Sequence, residues 1–446
     1  MLGSREMRRF VFCLAILASK PVGAGHTIIE ADGSANLGVT QRTQSKIAPD
    51  PNPEAGDVTP STVTTSFLEL RPGIGIARGN ERLYWRARYQ FAGILSLTDF
   101  GSTTYTNQAE IALLAVLTKA TAFSLEAAFA QGGTQFLLGQ RAADTGNPEF
   151  RAPGNPNLVR LTVAESLNSE LTRELQLQQS LAAVASAPQS DLSARSASLI
   201  GTLALQRVFR RDQIGLELRA GVSQLKPLQL EKPAYFVQND ALLLRWNRDL
   251  SRKLSGLAAA GVEQVYMDVG ARPVAVLPTG IVSLLYSSGT RTGAIEVSHA
   301  SNMNLQLGTA TATSRIAVRG QIVLDPFKFR TITFSAGALH NAPLAEAAPL
   351  LAIGTGNALQ SDIGFATELS KTVLATARYS ILYQFDQPVG IPASLVHIGM
   401  IGITALYSNS TLRARQRPSF GRRVDGSDAI TGSDRPPSDD RDPSPK

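Results

Sequence analysis

Apolar and polar side chains alternate at every second residue along many short segments of this chain. Residues 83–91 show the pattern most clearly, with Leu83 and Trp85 on one side of the alternation and Arg86 and Arg88 on the other. Segments 213–220 and 315–324 repeat it. A period of two is typical of β-strands with one apolar and one polar face, because successive side chains point to opposite faces. These segments are therefore predicted to be strands.

A short unit recurs between pairs of alternating segments. It consists of leucine, a hydroxyl residue and a cation, and it occurs at residues 117–119, 171–173, 250–252 and 369–371. Small polar residues of this kind suit tight turns between antiparallel strands. The unit predicts hairpins. Longer connections rich in Gly, Pro, Asn and Asp lie between these turns, at 132–157, 226–238, 268–277 and 341–357.

The alternating segments, from 34–41 to 395–407, number about eighteen, an even count that leaves both ends of the sheet on one side. Short turns at one rim and longer loops at the other are typical of outer-membrane barrels. An open sheet edge in lipid would leave backbone groups without partners. We therefore predict an all-β fold: a single closed antiparallel transmembrane β-barrel of about eighteen strands, with short periplasmic turns and longer extracellular loops.

One region allows a second interpretation. Residues 165–185 are rich in Leu, Glu, Gln and Ala, which are good helix formers. The central Leu-Thr-Arg matches the turn unit of the other hairpins and favours two strands. A helix here would reduce the count to about sixteen strands and leave the barrel intact. The strand assignments are also weak at 34–41 and 279–287.

The two ends of the chain differ from the rest. Arg8 and Arg9 precede the apolar run 10–18 and the small residues 22–24, the order of a secretory signal peptide. The alternation stops after residue 407, where a polar segment rich in Arg, Asp, Ser and Pro begins. The predicted organisation is a signal peptide at 1–24, a barrel at 25–407 and a disordered periplasmic tail at 408–446.

Composition narrows the class. The chain is 43% hydrophobic with a mean hydropathy of -0.01. No run after the predicted signal peptide reaches the roughly twenty apolar residues of a spanning helix. A net charge of +7 falls to a mild value once the basic signal peptide is removed, which argues against nucleic acid as a partner.

No catalytic or metal site is predicted. Cys13 is the one cysteine and lies in the predicted signal peptide, and the four histidines show no metal-ligand spacing. Catalytic sequence motifs are also missing. We expect no enzyme activity, no metal and no cofactor.

The polar face of the predicted strands carries charges of both signs. The residues predicted to line the lumen are Arg86, Arg88, Glu110, Glu126, Glu217, Arg219, Arg245, Glu263, Glu296, Arg315, Arg319, Glu368 and Arg378. A wall of this kind suits a water-filled passage for hydrophilic solutes. Loop 132–157 is the longest connection between strands, and we predict that it folds inward and narrows the bore.

The run Leu-Glu-Leu-Arg-Pro-Gly-Ile-Gly at 68–75, followed by the alternating segment 84–91, resembles bacterial outer-membrane β-barrels. Over most of the chain the strand rhythm is most similar to that of predicted eighteen-stranded barrels associated with exopolysaccharide export. The resemblance implies a porin-like channel in the cell outer membrane. Its implied partners are membrane lipid, a hydrophilic solute or polysaccharide, and periplasmic export components. The long tail departs from the family, whose final strand commonly ends the chain.

Two other functions fit the same pattern. A general diffusion porin would admit many small solutes whether or not a polysaccharide is exported. A closed structural or adhesive surface barrel would bind partners through its loops. The sequence leaves both open.

Overall fold

A computed structural model describes most of the chain. The residues it describes are 26–44, 61–80, 82–98, 103–133, 157–190, 195–227, 234–268, 274–305, 308–325, 330–344, 355–385 and 393–408. The predicted signal peptide, nearly all of the predicted tail and residues 134–156 of the predicted inward loop lie outside these ranges.

All regular structure in these ranges is β-strand. The strands are β1 (His26–Gln44), β2 (Ser61–Gly79), β3 (Leu83–Ser96), β4 (Thr103–Thr118), β5 (Thr121–Gly133), β6 (Asn157–Glu170), β7 (Leu175–Pro188), β8 (Ser196–Val208), β9 (Asp212–Leu225), β10 (Tyr235–Asp249), β11 (Leu254–Met267), β12 (Val274–Ser288), β13 (Arg291–Asn304), β14 (Thr309–Asp325), β15 (Arg330–Pro343), β16 (Gly356–Ser370), β17 (Val373–Phe385) and β18 (Ser394–Ser408).

The strands form one closed sheet. Each strand pairs antiparallel with its neighbours in the sequence, and β1 also pairs with β18. Closure removes the sheet edges that would otherwise leave unpaired backbone groups. The predicted single antiparallel barrel of eighteen strands is confirmed.

The helix alternative for residues 165–185 is wrong. This region is the hairpin of β6 and β7, with Ala164 opposite Ala182 in the ladder. Helix propensity is a weak preference, and pairing of both strands with their neighbours overrides it. The strand predicted at 34–41 extends from His26 to Gln44 in the structure. The prediction was too short because Gly33 and Ala35 blur the alternation of apolar and polar residues.

The recurring turn unit has a common geometry. In each of its four occurrences the hydroxyl oxygen accepts a hydrogen bond from the backbone N–H two residues later. These bonds are Ala120 N to Thr118 Oγ1 (3.1 Å), Glu174 N to Thr172 Oγ1 (3.2 Å), Lys253 N to Ser251 Oγ (3.2 Å) and Thr372 N to Ser370 Oγ (3.4 Å). The hydroxyl thus satisfies a backbone donor that the tight turn leaves without a strand partner.

The two faces of the sheet differ sharply. The outer face carries large apolar side chains in water-accessible positions, among them Val276 at 67% and Ile401 at 61% relative exposure. The inner face carries charged and amide side chains. No helix within the described residues is long and apolar enough to span a membrane.

Candidate functional site

The strand register places every charged residue predicted for the lumen on the inner face. Arg88 lies opposite Glu110, and Glu296 lies opposite Ser283. The alternation continues around the barrel, so that the inner positions of each strand are paired with inner positions of the next. The residues on this face include Arg86, Arg88, Glu110, Glu126, Glu217, Arg219, Arg245, Glu263, Glu296, Arg315, Arg319, Glu368 and Arg378.

Arginines of β3 pair with acids of β1 across the intervening strand β2. Arg86 Nη2 lies 2.9 Å from Glu30 Oε2, and Arg88 Nη2 lies 2.7 Å from Asp32 Oδ2. The pairs span β2 because Gly73 and Gly75 stand between them on the inner face. Both acids escaped the sequence analysis, since β1 shows little alternation.

Further ion pairs line the wall beyond this sector. Arg315 pairs with Glu296, and Arg378 Nη2 lies 3.3 Å from Asp362 Oδ1. Asp362, like Asp32, was missed by the sequence analysis. Arg319 is exposed, and it has no ion pair within the described part of the chain. The wall therefore presents fixed charges of both signs to the lumen.

Arginine supplies the positive charges throughout this wall. No lysine lies within the strands that the structure describes, whereas the short turns contain Lys119, Lys253 and Lys371. The guanidinium group stays charged at any physiological pH and offers a planar fork of N–H donors. It can therefore bind an acid on one side and hydrogen-bond a passing solute with its remaining donors.

The β9–β10 sector is closed to water. Glu217 has 0% exposed surface and accepts from Arg219 Nε at 2.6 Å and from Arg245 Nη1 at 3.2 Å. Arg245 is itself only 4% exposed. These residues form a structural network within the wall rather than a surface that solutes contact.

The upper part of the β13–β14 hairpin leaves the wall and folds into the lumen. We call the described residues 300–305 and 308–311 the arm. The pairing of β12 with β13 ends at Gly280 and His299, although β12 extends to Val274 and β13 to Asn304. The β13–β14 ladder continues to Asn304 and Thr309, so the arm moves inward as an intact hairpin.

The arm packs against the inner side of β9–β12. Met303, Leu305 and Ala310 of the arm contact a buried cluster that is otherwise built from the inner faces of these strands: Leu225, Tyr235, Val237, Val265, Met267 and Leu277. At the tip of the arm, Tyr235 Oη donates to the Gly308 carbonyl at 3.0 Å. Because β9 and β14 are far apart around the barrel, the arm crosses part of the lumen to reach this site.

Pro278 explains why the ladder stops. Ser287 N donates to the carbonyl of Lys253, just before β11, at 2.8 Å. Backbone hydrogen bonds alternate between the two neighbouring strands, so odd-numbered residues of β12 bond to β11 and even-numbered residues bond to β13. Pro278 stands at an even position and has no N–H to donate. Its partner in a continued ladder would be Ser301, the second residue of the arm.

Glu263 takes up the hydrogen bonds that this break releases. Its carboxylate accepts from Ser301 N at 2.9 Å and also from Ser301 Oγ, and Asn239 Nδ2 donates to it at 3.1 Å. Thr279 Oγ1 donates to the His299 carbonyl at 3.0 Å. Glu263 was predicted only as a lumen-lining residue. It is instead 3% exposed and holds the arm in place.

The arm is an inward segment that the sequence analysis did not identify. That analysis placed the inward fold at 132–157, most of which lies outside the described residues. A proline in the middle of an otherwise regular strand, as at Pro278, was the available signal for the arm.

The histidines of the strands lie away from this site. His299, His340 and His397 each hydrogen-bond an outer-face neighbour: Ser314 (2.8 Å), Asn357 (2.9 Å) and Tyr379 (2.8 Å), respectively. Among the described residues, no group of His, Cys, Asp or Glu is arranged to hold a metal ion.

Comparisons with known proteins give no family. No protein-family model and no curated protein matches the chain. Several solved structures match this structure, at low sequence identity and low structural similarity. The copper transporter OprC shares 8% identity over 87% of this chain and 81% of its own, with a TM-score of 0.43. OccK2 (OpdF) of Pseudomonas aeruginosa in complex with glucuronate shares 10% over 85% and 98%, with a TM-score of 0.41. A BenF-like porin from Pseudomonas fluorescens Pf-5 shares 13% over 85% and 98%, with a TM-score of 0.40. At these values the likeness is too slight to assign a family or a substrate.

Proposed function

We propose that this chain is a porin-like channel of the bacterial outer membrane that passes hydrophilic solutes without an energy source. The observation that carries the proposal is the contrast between the two faces of one closed sheet. Apolar side chains such as Leu216 and Ile401 cover the outside, and arginine–acid pairs such as Arg86–Glu30 line the inside. An apolar exterior suits lipid, and a charged interior suits water.

The proposed location follows from the same contrast. A closed barrel satisfies all its backbone groups within the sheet, which is a condition for crossing lipid with strands. The signal peptide at 1–24 would direct export through the inner membrane. The short turns would then face the periplasm, together with both ends of the sheet and the tail at 408–446, which is free to contact periplasmic export components.

As the substrate class we propose an exported polysaccharide. An extended glycan presents hydroxyl groups as donors and acceptors along its whole length. The wall offers matching groups, because arginines such as Arg319 donate while the carboxylates of Glu30 and Asp32 accept. The resemblance in strand rhythm motivates this choice over a general diffusion porin, which would use the same wall for many small solutes.

The arm is the proposed constriction. It lies inside the barrel, where Glu263 of β11 and Tyr235 of β10 hold it by hydrogen bonds. A rigid inward segment narrows the bore to a passage that a single extended chain fits better than a folded one. The lumen-lining role belongs to partly exposed pairs near this passage, such as Arg315–Glu296.

Single-channel conductance in a planar bilayer tests the proposal. We expect stepwise ohmic openings from the folded protein, with block by polysaccharide fragments and little block by simple sugars. Equal passage of both would instead indicate a general diffusion porin. Folded protein that never conducts would indicate a closed structural or adhesive barrel and would contradict the channel.

A shortened arm sharpens this test. Replacing residues 303–310 with Asn-Gly closes the hairpin with a two-residue turn at Asn302 and Thr311, which are already paired. We expect a larger conductance. Ser361→Ala on the outer face is the matched control and should leave conductance unchanged.

A further inference from the structure

A charged side chain interrupts the apolar outer face near the middle of β6. Glu165 lies in the middle of β6 and points outward, opposite Leu125 of β5 and Leu181 of β7. Strands rise by ~3.3 Å per residue, so this residue falls inside the roughly 25 Å apolar band of a membrane barrel. Outer-face residues at this level on other strands are apolar, as at Leu216, Val282 and Ile363.

A second polar side chain accompanies it. Gln179 points outward from β7, where it pairs with Leu167 of β6 and Leu203 of β8. It is exposed, and its position is one step diagonal from Glu165 in the ladder. Within the described residues neither side chain has a hydrogen bond or ion pair to another. A carboxyl group and a carboxamide thus stand side by side with unused hydrogen-bonding capacity.

Lipid cannot satisfy such a pair. Ionisable groups inside a bilayer are expensive and are found almost always with partners. Water is also excluded at this depth on the outer face. Within the described strands the direct cross-strand neighbours of both side chains are leucines, which points to a second protein as the source of a partner.

The pair is complementary to itself. In a two-fold arrangement the same patch faces its own copy, with residue i of one subunit against residue j of the other. Each Glu165 carboxylate would then accept a hydrogen bond from the Gln179 carboxamide N–H of the second subunit. Ala127, Ala183 and Gly201 border the patch. Small residues of this kind let two membrane surfaces approach closely enough for side chains to bond.

We infer that the outer face of β5–β8 is a dimer interface, in which Glu165 and Gln179 bind their counterparts in a second copy of this chain. The inference rests on the proposed membrane location and not on what the lumen transports. A channel that conducts as a monomer would therefore overturn the dimer and leave the proposed function standing.

The first test measures oligomeric mass in a mild detergent and in lipid nanodiscs. We expect wild-type protein at the mass of a dimer, and Glu165→Leu and Gln179→Leu at the mass of a monomer. Leucine is favourable on a lipid-facing surface, so these variants should still fold, which unchanged single-channel conductance verifies. Glu165→Gln keeps a hydrogen-bond acceptor at this position and should remain dimeric. Monomeric wild-type protein, or a dimer that survives both leucine variants, would overturn the inference.

The second test maps the contact by disulfide formation in a Cys13→Ser background. Glu165→Cys protein carrying one affinity tag is coexpressed with Gln179→Cys protein carrying another. We expect a disulfide-linked species that contains both tags. Ala260→Cys, which points outward from β11 on a different part of the barrel, is the matched control. Equal cross-linking by the control would reveal random collision and contradict a specific interface.

Discussion

Two parts of the inner wall use the same chemistry in opposite surroundings. In β1 and β3, Arg86 pairs with Glu30 while 42% and 18% of their side-chain surfaces stay exposed. In β9 and β10, Arg245 pairs with Glu217 at 5% and 0% exposure. Both are single arginine–carboxylate contacts of about the same length, so composition alone does not distinguish them.

The difference teaches which charges can act on a solute. An exposed pair is weakened by water and can exchange its partner for a passing group. A buried pair holds its geometry because either charge without the other would be very costly. The residues predicted for the lumen therefore divide into a solvent-facing group, such as Arg86 and Arg319, and a structural group, Glu217, Arg245 and Glu263.

Removing the buried acid should have the largest effect. Glu217→Ala removes the buried carboxylate to which Arg245 and Arg219 donate, and we expect a loss of about 3–5 kcal/mol in the free energy of unfolding. Urea unfolding in lipid vesicles, followed by the fluorescence of Trp246 on β10 and of Trp85, measures it. The matched variant Glu30→Ala breaks the exposed pair and should cost at most about 1 kcal/mol. Equal losses would remove the distinction between the two sectors.

Weakening the attachment of the arm to the wall should have the second-largest effect. Glu263→Gln replaces the charged acceptor of two Ser301 hydrogen bonds, and hydrogen bonds to charged groups contribute about 1.5–3 kcal/mol. We expect a stability loss in this range and noisier channel openings, because the arm moves more freely. Gln264→Ala changes the neighbouring outward residue as a control. Quiet openings in Glu263→Gln would mean that other contacts hold the arm.

The tip of the arm offers a smaller and more selective change. Gly308 has φ +65°, and an added Cβ would collide with the Lys226 carbonyl. The conformation alone costs a non-glycine residue about 1–2 kcal/mol. Gly308→Ala should lower stability by at least this amount, because the collision adds to it, and should raise conductance as the tip shifts.

Gly289→Ala separates these two causes. Gly289 also has a positive φ (+42°), but a Cβ there meets nothing within 4 Å. It should therefore lose stability without a change in conductance. A conductance change in both variants would show that the tip contact does not set the bore.

The sequence predicts the barrel well because its strands repeat two simple signals, alternation and a hydroxyl-containing turn. Segments such as β3 and β14 carry large apolar residues on one face, so their register is easy to recognise. It predicts inward orientation for the same reason. It cannot predict which inward residues are buried, since Glu217 and Glu263 are covered by groups from distant parts of the chain.

The arm shows the same limit. Alternation continues through β13 and β14 into the arm, so nothing local distinguishes a strand in the wall from one that leaves it. Pro278 lies on the neighbouring strand β12, and its effect becomes apparent only once Ser301 is known to be its partner. Acids in weakly alternating segments, such as Asp32 in β1, were missed because small residues surround them.

The smallest stability effect, and the most direct readout of transport, comes from the exposed pair. Arg86→Gln removes one positive charge from the open wall, whereas the negative charge of Glu30 stays. We expect a change of at most about 1 kcal/mol in stability and a shift of the reversal potential in a KCl gradient toward cation selectivity. Glu30→Gln should shift it in the opposite direction, and the double variant should return it toward the wild-type value because both charges are then gone. The same reversal potential in wild-type protein and in all three variants would mean that permeating ions do not pass this sector of the wall.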